Sequence, residues 1–117
     1  MTRADVWVRG EDAAARYLKK RRYKILARNV RCGRNEIDII ARTGDTVVFV
    51  EVRTRMQEDE ILPEDTVTAT KQAHLRAAAR WYLARNQEPD TYYRFDVVAI
   101  ILPPQGNPRI THYESAF

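Results

Sequence analysis

The sequence holds a single cysteine, Cys32, which excludes an internal disulfide and any cysteine-based zinc site. That fits a reducing compartment. Long hydrophobic runs are missing too: the longest apolar stretch, Val97 to Leu102, is far too short to span a bilayer. Met1 to Gly10 mixes Arg3, Asp5 and Arg9 with Val6, Trp7 and Val8, and lacks the apolar segment of a secretory signal. The expectation is a cytoplasmic protein with no membrane partner. No internal repeat, low-complexity tract or interdomain linker is present, so residues 1–117 are expected to form a single domain, long enough to bury a core without disulfides or structural metal. The Pro-rich run Pro103 to Pro108 reads as a turn between two strands. Of the two histidines, His74 and His112, neither has a partner motif, and a solvated or core-satisfied ring is the default for both.

Acidic residues are absent between Ala13 and Asn35, where Arg16, Lys19, Lys20, Arg21, Arg22, Lys24, Arg28, Arg31 and Arg34 supply nine cations, although the whole chain carries only +4. A block of this kind neutralises phosphates and releases counterions, the main source of affinity for nucleic acid. A solvated helix face followed by an exposed strand is the competing reading.

What is present alternates between two periods. Ala14, Ala15 and Leu18 recur at helical spacing, so a first helix is expected over about Gly10 to Arg22, with Glu11 on the same stripe in a first turn that suits an acid. Tyr23 to Arg31 can form a strand, and Glu36 to Arg42 with Thr46 to Arg53 form a hairpin. Thr54 to Asp65 lacks periodicity and reads as a loop. A second helix follows over Thr68 to Asn86, capped by Thr68 or Thr70, with Leu75, Ala78, Ala79 and Tyr82 as its buried stripe. Tyr93 to Leu102 reads as an internal strand and Arg109 to Tyr113 as a weaker final one. The fold class is α/β with a mixed sheet, in the order α-β-β-β-α-β-β.

If Gly44 and Asp45 make a two-residue turn, Thr43 faces Thr46 and cross-strand partners have numbers summing to 89. Asp38 then faces Glu51. Opposed residues have Cβ atoms about 4.5–5.5 Å apart, and like charges so placed destabilise a sheet unless something compensates. A hard divalent cation, Mg²⁺ or Mn²⁺, is the economical candidate, because such ions are held by one or two carboxylates together with water and substrate phosphate. The same register faces Glu36 with Arg53, an ion pair that serves structure as readily as function. Alternation puts Glu36, Asp38 and Ile40 on one face and Ile37 and Ile39 on the other, so acids set among apolar faces point to a sheet edge or fork.

Four blocks resemble the YraN-like family of largely uncharacterised bacterial proteins: Asn35-Glu36-Ile37-Asp38-Ile39-Ile40, Phe49-Val50-Glu51-Val52-Arg53-Thr54-Arg55, Arg94-Phe95-Asp96-Val97-Val98, and Gly10-Glu11 with Ala14, Tyr17 and Leu18. The resemblance covers about residues 10 to 101 and implies a restriction-endonuclease-like fold related to Holliday-junction resolvases. In that wider group an acid from the first helix, an Asp on one strand and a Glu-x-Lys on the next build a magnesium-dependent nuclease site. By position these roles fall to Glu11, Asp38 and Glu51 as metal ligands. Arg53 stands where the lysine belongs; it cannot act as a base, yet can hold a phosphate bidentately. Gln72 matches a polar position that orients substrate or water in related nucleases. Lys71 can replace the missing amine, although a solvated lysine is the plainer expectation.

Arg16, Lys19, Lys20, Arg22, Arg34, Arg55 and Lys71 are the residues expected to meet nucleic acid, DNA rather than RNA. Asp96 is expected to be structural, and Trp7, Trp81 and Tyr82 to belong to the core. The leading functional expectation is a metal-dependent DNA endonuclease, acting on branched or flapped DNA. A non-catalytic nucleic-acid-binding module on the same fold, and a protein-interaction adaptor, are the competing classes, and a homodimer stays open.

Overall fold

The computed structural model describes residues 2–57, 67–86 and 91–117. Its elements are α1 (Arg3–Lys20), β1 (Lys24–Cys32), β2 (Asn35–Thr43), β3 (Thr46–Met56), α2 (Ala69–Arg85), β4 (Tyr92–Leu102) and β5 (Arg109–Tyr113). This is the expected order. The strands form one mixed sheet in spatial order β1-β2-β3-β4-β5, antiparallel throughout except for the parallel pair β3 and β4. Two-residue turns at Gly33-Arg34 and Gly44-Asp45, each with a glycine at positive φ, close the first two hairpins. A parallel pair cannot be closed by a tight turn, and the connection between β3 and β4 carries α2 across one face of the sheet.

One helix covers each face. Against α1, Ala14 and Leu18 pack on Ile39, Val48, Val50, Val52, Val98 and Ile100. Against α2, Leu75, Ala78 and Ala79 pack on Ile37, Ile40, Val47, Phe49 and Phe95. Thr68 caps α2 by accepting the Lys71 N–H, and Tyr82 is only partly buried against the same cluster. A mixed five-stranded sheet between two helices is consistent with an α/β nuclease-like core. No helix among the described residues is long and apolar enough to cross a membrane.

Two boundaries differ from expectation. α1 begins at Arg3 rather than Gly10, because Thr2 accepts the Asp5 N–H at 3.1 Å while the Asp5 carboxylate accepts the Thr2 N–H at 2.9 Å. This reciprocal cap stabilises two turns that bury little: Trp7 and Val8 are 49% and 46% exposed, so no apolar stripe betrays them. Trp7 is therefore not a core residue. β3 continues past Arg53 to Met56, since β4 pairs with it through Met56 and Leu102. Most of the stretch expected as a loop, its residues 58–65, lies outside the described residues.

At Gly10 α1 lies directly against Thr54 of β3. A Cβ there would overlap the Thr54 hydroxyl and come within 2.8 Å of the Thr54 Cβ. Only glycine lets the helix lie this close, and Glu11 is the next residue. Gly10→Ala should therefore push α1 outward and cost about 1–3 kcal/mol, the usual range for overpacking. Chemical denaturation measures this, and Gly10→Ala with Thr54→Ala should recover part of the loss. Equal stability of Gly10→Ala and wild type would mean that the helix does not pack here.

A candidate metal centre at the fork of the sheet

The β2–β3 hairpin keeps the expected register from Thr43/Thr46 as far as Ile39/Val50. It stops one pair short of Asp38 and Glu51. Beyond that point the Val52 N–H donates to Asp38 Oδ2 at 2.8 Å instead of to a main-chain carbonyl of β2, so the carboxylate occupies the gap where the strands part. β2 also turns over at this residue. Ile39 belongs to the cluster under α1 and Ile37 to the cluster under α2, whereas strict alternation would have kept them on one face. On β1, Asn29 lies between the pairs Arg28/Ile39 and Val30/Ile37 and adopts a left-handed φ of 52°. Glu36 consequently pairs with Arg31 on β1, and Arg53 with Ala99 on β4. The expected Glu36–Arg53 pair does not form because the strands have already separated.

Glu51 is buried, and two cations converge on its Oε2: Lys71 Nζ at 3.4 Å and Arg53 Nη2 at 3.5 Å. Lys71 stands in the first turn of α2, and the crossover that forms the parallel β3–β4 pair delivers it to β3. It is thus not the freely solvated lysine that its position in the sequence favours. Arg53 Nε is buried without a hydrogen-bond partner.

Glu11 reaches the fork from the other helix. It is 1% exposed, and neither of its carboxyl oxygens accepts a hydrogen bond. Arg28 comes no closer than 3.7 Å, being committed to Asp12 at 2.8 Å. Burial first, and then the charge of Asp38, push the Glu11 carboxyl up to about 7, with Arg28 and Asn29 offsetting only part of this. Burial likewise raises Asp38, followed by the adjoining Glu51 carboxyl, while the Val52 N–H and Lys71 pull the other way. Asp38 is the middle member. It touches Glu51 on one side and feels Glu11 on the other.

Among the described residues, no three His, Cys, Asp or Glu side chains are close enough to enclose a metal ion unaided. A hard cation does not require that, since two carboxylates with water and phosphate oxygens suffice. Two unpartnered buried oxygens on Glu11 and a strained Asp38–Glu51 pair are the features a cation would relieve, so these residues fit the group.

The other candidates fall elsewhere. Gln72 does not reach the acids; its Nε2 donates to the Val67 carbonyl at 3.3 Å. Asp96 is fully buried and fully satisfied by Arg94, His112 and the Ser115 N–H, the structural role expected of it. His112 is satisfied by Asp96 and Tyr17, His74 is exposed, and Trp81 packs partly buried under the second cluster. The basic run divides. Lys19, Lys20, Arg21, Arg22 and Lys24 are exposed at a corner where Lys24 pairs with Arg42, near the β2–β3 turn. Arg31 and exposed Arg34 lie roughly 23 Å along the sheet from Lys24, at a strand rise of about 3.3 Å per residue. Arg16 is exposed on α1, and half-buried Arg55 donates to the Thr54 carbonyl. Arg28 and Asn29, which border Glu11, were missed; the Gly33-Arg34 turn carries the register that sets Asn29 beside Asp38.

The model of the uncharacterised protein family UPF0102 matches residues 10–100. A UPF0102 protein of Geobacter sulfurreducens is 47% identical over 94% of this chain and 86% of its own length. One from Parafrankia is 45% identical over 92% of each chain, and one from Caldicellulosiruptor saccharolyticus 42% identical over 87% of this chain and 86% of its own. The family expected from the four blocks is the family found.

Raised carboxyls make a signed prediction for stability. Glu11 and Asp38 take up protons more readily folded than unfolded, so their contribution is complete below the unfolded values of 4.5 and 3.8 and is lost as pH rises through the folded ones. In EDTA, the melting temperature should fall between about pH 5 and about pH 8, and Glu11→Gln should flatten that fall. Mn²⁺ should raise the melting temperature more at the upper end than at the lower, and Asp38→Ala should abolish the rise. A pH profile identical in wild type and Glu11→Gln would remove Glu11 from the site.

Proposed function

We propose that this chain, which belongs to the uncharacterised protein family UPF0102, is a divalent-metal-dependent DNA endonuclease suited to branched or flapped substrates. The observation that carries the reading is the meeting of Asp38 and Glu51 at the fork, with buried, poorly satisfied Glu11 beside Asp38 and Lys71 against Glu51. Asp38 and Glu51 would hold Mg²⁺ or Mn²⁺, with Glu11 as the neighbouring acid. When bound, the ion polarises a phosphoryl oxygen and lowers the pKa of a coordinated water.

The protein's own contributions divide between two cations. Arg53 remains protonated and offers a planar fork, so it positions and neutralises the scissile phosphate. An amine, by contrast, can give up and regain a proton, and Lys71 places one at Glu51 from a different element of the chain. It thereby takes the role that arginine at position 53 leaves open. Exposed Arg34 and half-buried Arg55 supply phosphate contacts around the fork, while Arg16, Lys19, Lys20 and Arg22 supply a second basic region along α1. The competing reading, a binding module that does not cut, draws on Arg53 and on the acid-free basic stretch between Ala13 and Asn35.

Single-turnover cleavage of branched DNA in Mn²⁺ separates these readings. Lys71→Ala should slow cleavage by about 10²–10⁴-fold, the range of general acid–base help, with little loss of affinity. Adding Arg53→Lys to that variant should restore part of the rate by returning an amine to Glu51. Wild type that binds DNA but cuts no substrate would leave the binding module standing.

Affinity should also fall steeply with salt. Lys19→Ala with Arg22→Ala should reduce the log–log slope by about 2 if both residues meet phosphates of a duplex. Salt-independent binding, or none, would favour the adaptor.

A further inference from the structure

Beside the acid pair lies a cavity of about 450 Å³, walled by Gln72 from α2, Val97 from β4, Tyr113 from β5, and Phe117. The register of the sheet ties it to the fork: Glu51 pairs with Val97, and Val97 with Tyr113. Cross-strand partners share a face, so the three residues form one row across three strands spaced about 4.8 Å apart. The cavity floor is therefore one strand from Glu51 and its far wall two. The helix repeats this adjacency, because Lys71 touches Glu51 and the next residue, Gln72, enters the cavity wall.

The lining has a definite chemistry. Its described lining is aromatic and aliphatic surface with one amide, together with Glu114, whose carboxylate is engaged by Tyr23 and Arg94, and among these described residues there is no cation, which disfavours a phosphate. The Phe117 ring is stacked on Phe95 at 5.1 Å and covered by the Arg76 guanidinium at 5.2 Å, so it forms a fixed wall. Gln72 spends an amide hydrogen on the Val67 carbonyl, which orients the amide and leaves its oxygen able to accept from an amino group. A flat heterocycle with an exocyclic amino group matches the Tyr113 ring as a stacking surface, Phe117 as a side wall and the Gln72 oxygen as an acceptor at the edge.

We infer that this cavity receives an unstacked nucleobase, that of the nucleotide next to the phosphate held at Asp38 and Glu51. The inference rests on the nuclease reading for what lies at the fork. A base inside an intact duplex must be unpaired and unstacked to enter, so the cavity selects flaps, junctions and single strands over continuous duplex.

The test is equilibrium binding in Ca²⁺ of a flapped DNA in which one abasic nucleotide is moved stepwise through the flap and junction, alongside cleavage of the same set in Mn²⁺. At one position the abasic substitution should weaken wild-type binding about tenfold or more, the usual scale of losing one stacked base. Ala116→Trp, at an exposed position bordering the cavity, should bind normal DNA as weakly as wild type binds that abasic DNA, with no further loss on the abasic one. Tyr113→Ala, with a melting curve as a check on folding, should lose the same discrimination. Wild type indifferent to the abasic residue at every position, or Ala116→Trp binding like wild type, overturns the inference and leaves the nuclease reading intact. Position-dependent binding without any cleavage upholds the cavity and removes the nuclease, and a protein that neither binds nor cuts overturns both.

Discussion

The hydrogen bond from the Val52 N–H to the Asp38 carboxylate stands where a ladder bond between β2 and β3 would otherwise form, and the arrangement of the fork follows from it. An unpaired N–H in the middle of a sheet is costly, and a carboxylate satisfies it at least as well as a carbonyl. With that substitution made, β2 is released from β3, Ile37 crosses to the α2 side, and β3 continues alone against β4. The opening so created is where Glu51 meets Asp38 and where α1 and α2 can both send a side chain.

Among the described residues two buried polar clusters stand out, and they are built in opposite ways. Asp96 is held by His112 at 2.7 Å, Arg94 at 3.0 Å and the Ser115 N–H at 3.0 Å. Burial works to raise its pKa, but those three donors prevail and hold it below the ordinary carboxylate range. Such a cluster is complete, and it joins β4 to β5 and the segment after it. Glu11 is as deeply buried, yet Arg28 stays 3.7 Å away and Asn29 offsets only part of the cost of burial, so its oxygens are poorly satisfied. Fully satisfied polar groups strengthen a fold, whereas an unsatisfied buried acid weakens it unless something binds there. The contrast within one small sheet separates a structural carboxylate from a candidate ligand more sharply than either residue's identity does.

Close packing and long-range charge act at different distances from the fork. Gly10 sets the depth of α1 to within the width of a methyl group, which matters because Glu11 is its neighbour. The basic run, by comparison, spreads along α1 and β1 and divides between two ends of the sheet. Charges so distributed act through solvent over about a Debye length and tolerate displacement, whereas the fork does not.

Local rules made much of this legible in the chain itself. The Gly44-Asp45 turn determined a register that holds to Ile39 and Val50, a threonine cap and an apolar stripe marked α2, and the four sequence blocks determined the family. These are properties of neighbours along the chain, where spacing and turn chemistry act. The start of α1 was equally local, yet its signal was the Thr2–Asp5 capping box rather than hydrophobic periodicity, because its first turns bury almost nothing. Only the tertiary structure decided that the ladder ends before Asp38, that Lys71 reaches Glu51, that Gln72 turns to the cavity, and that Glu11 is buried with only a distant Arg28 for a counter-charge. Residue types and their order determine which acids are available; whether they are desolvated, paired or left waiting depends on what four separate elements place around them, and a linear sequence contains no term for that.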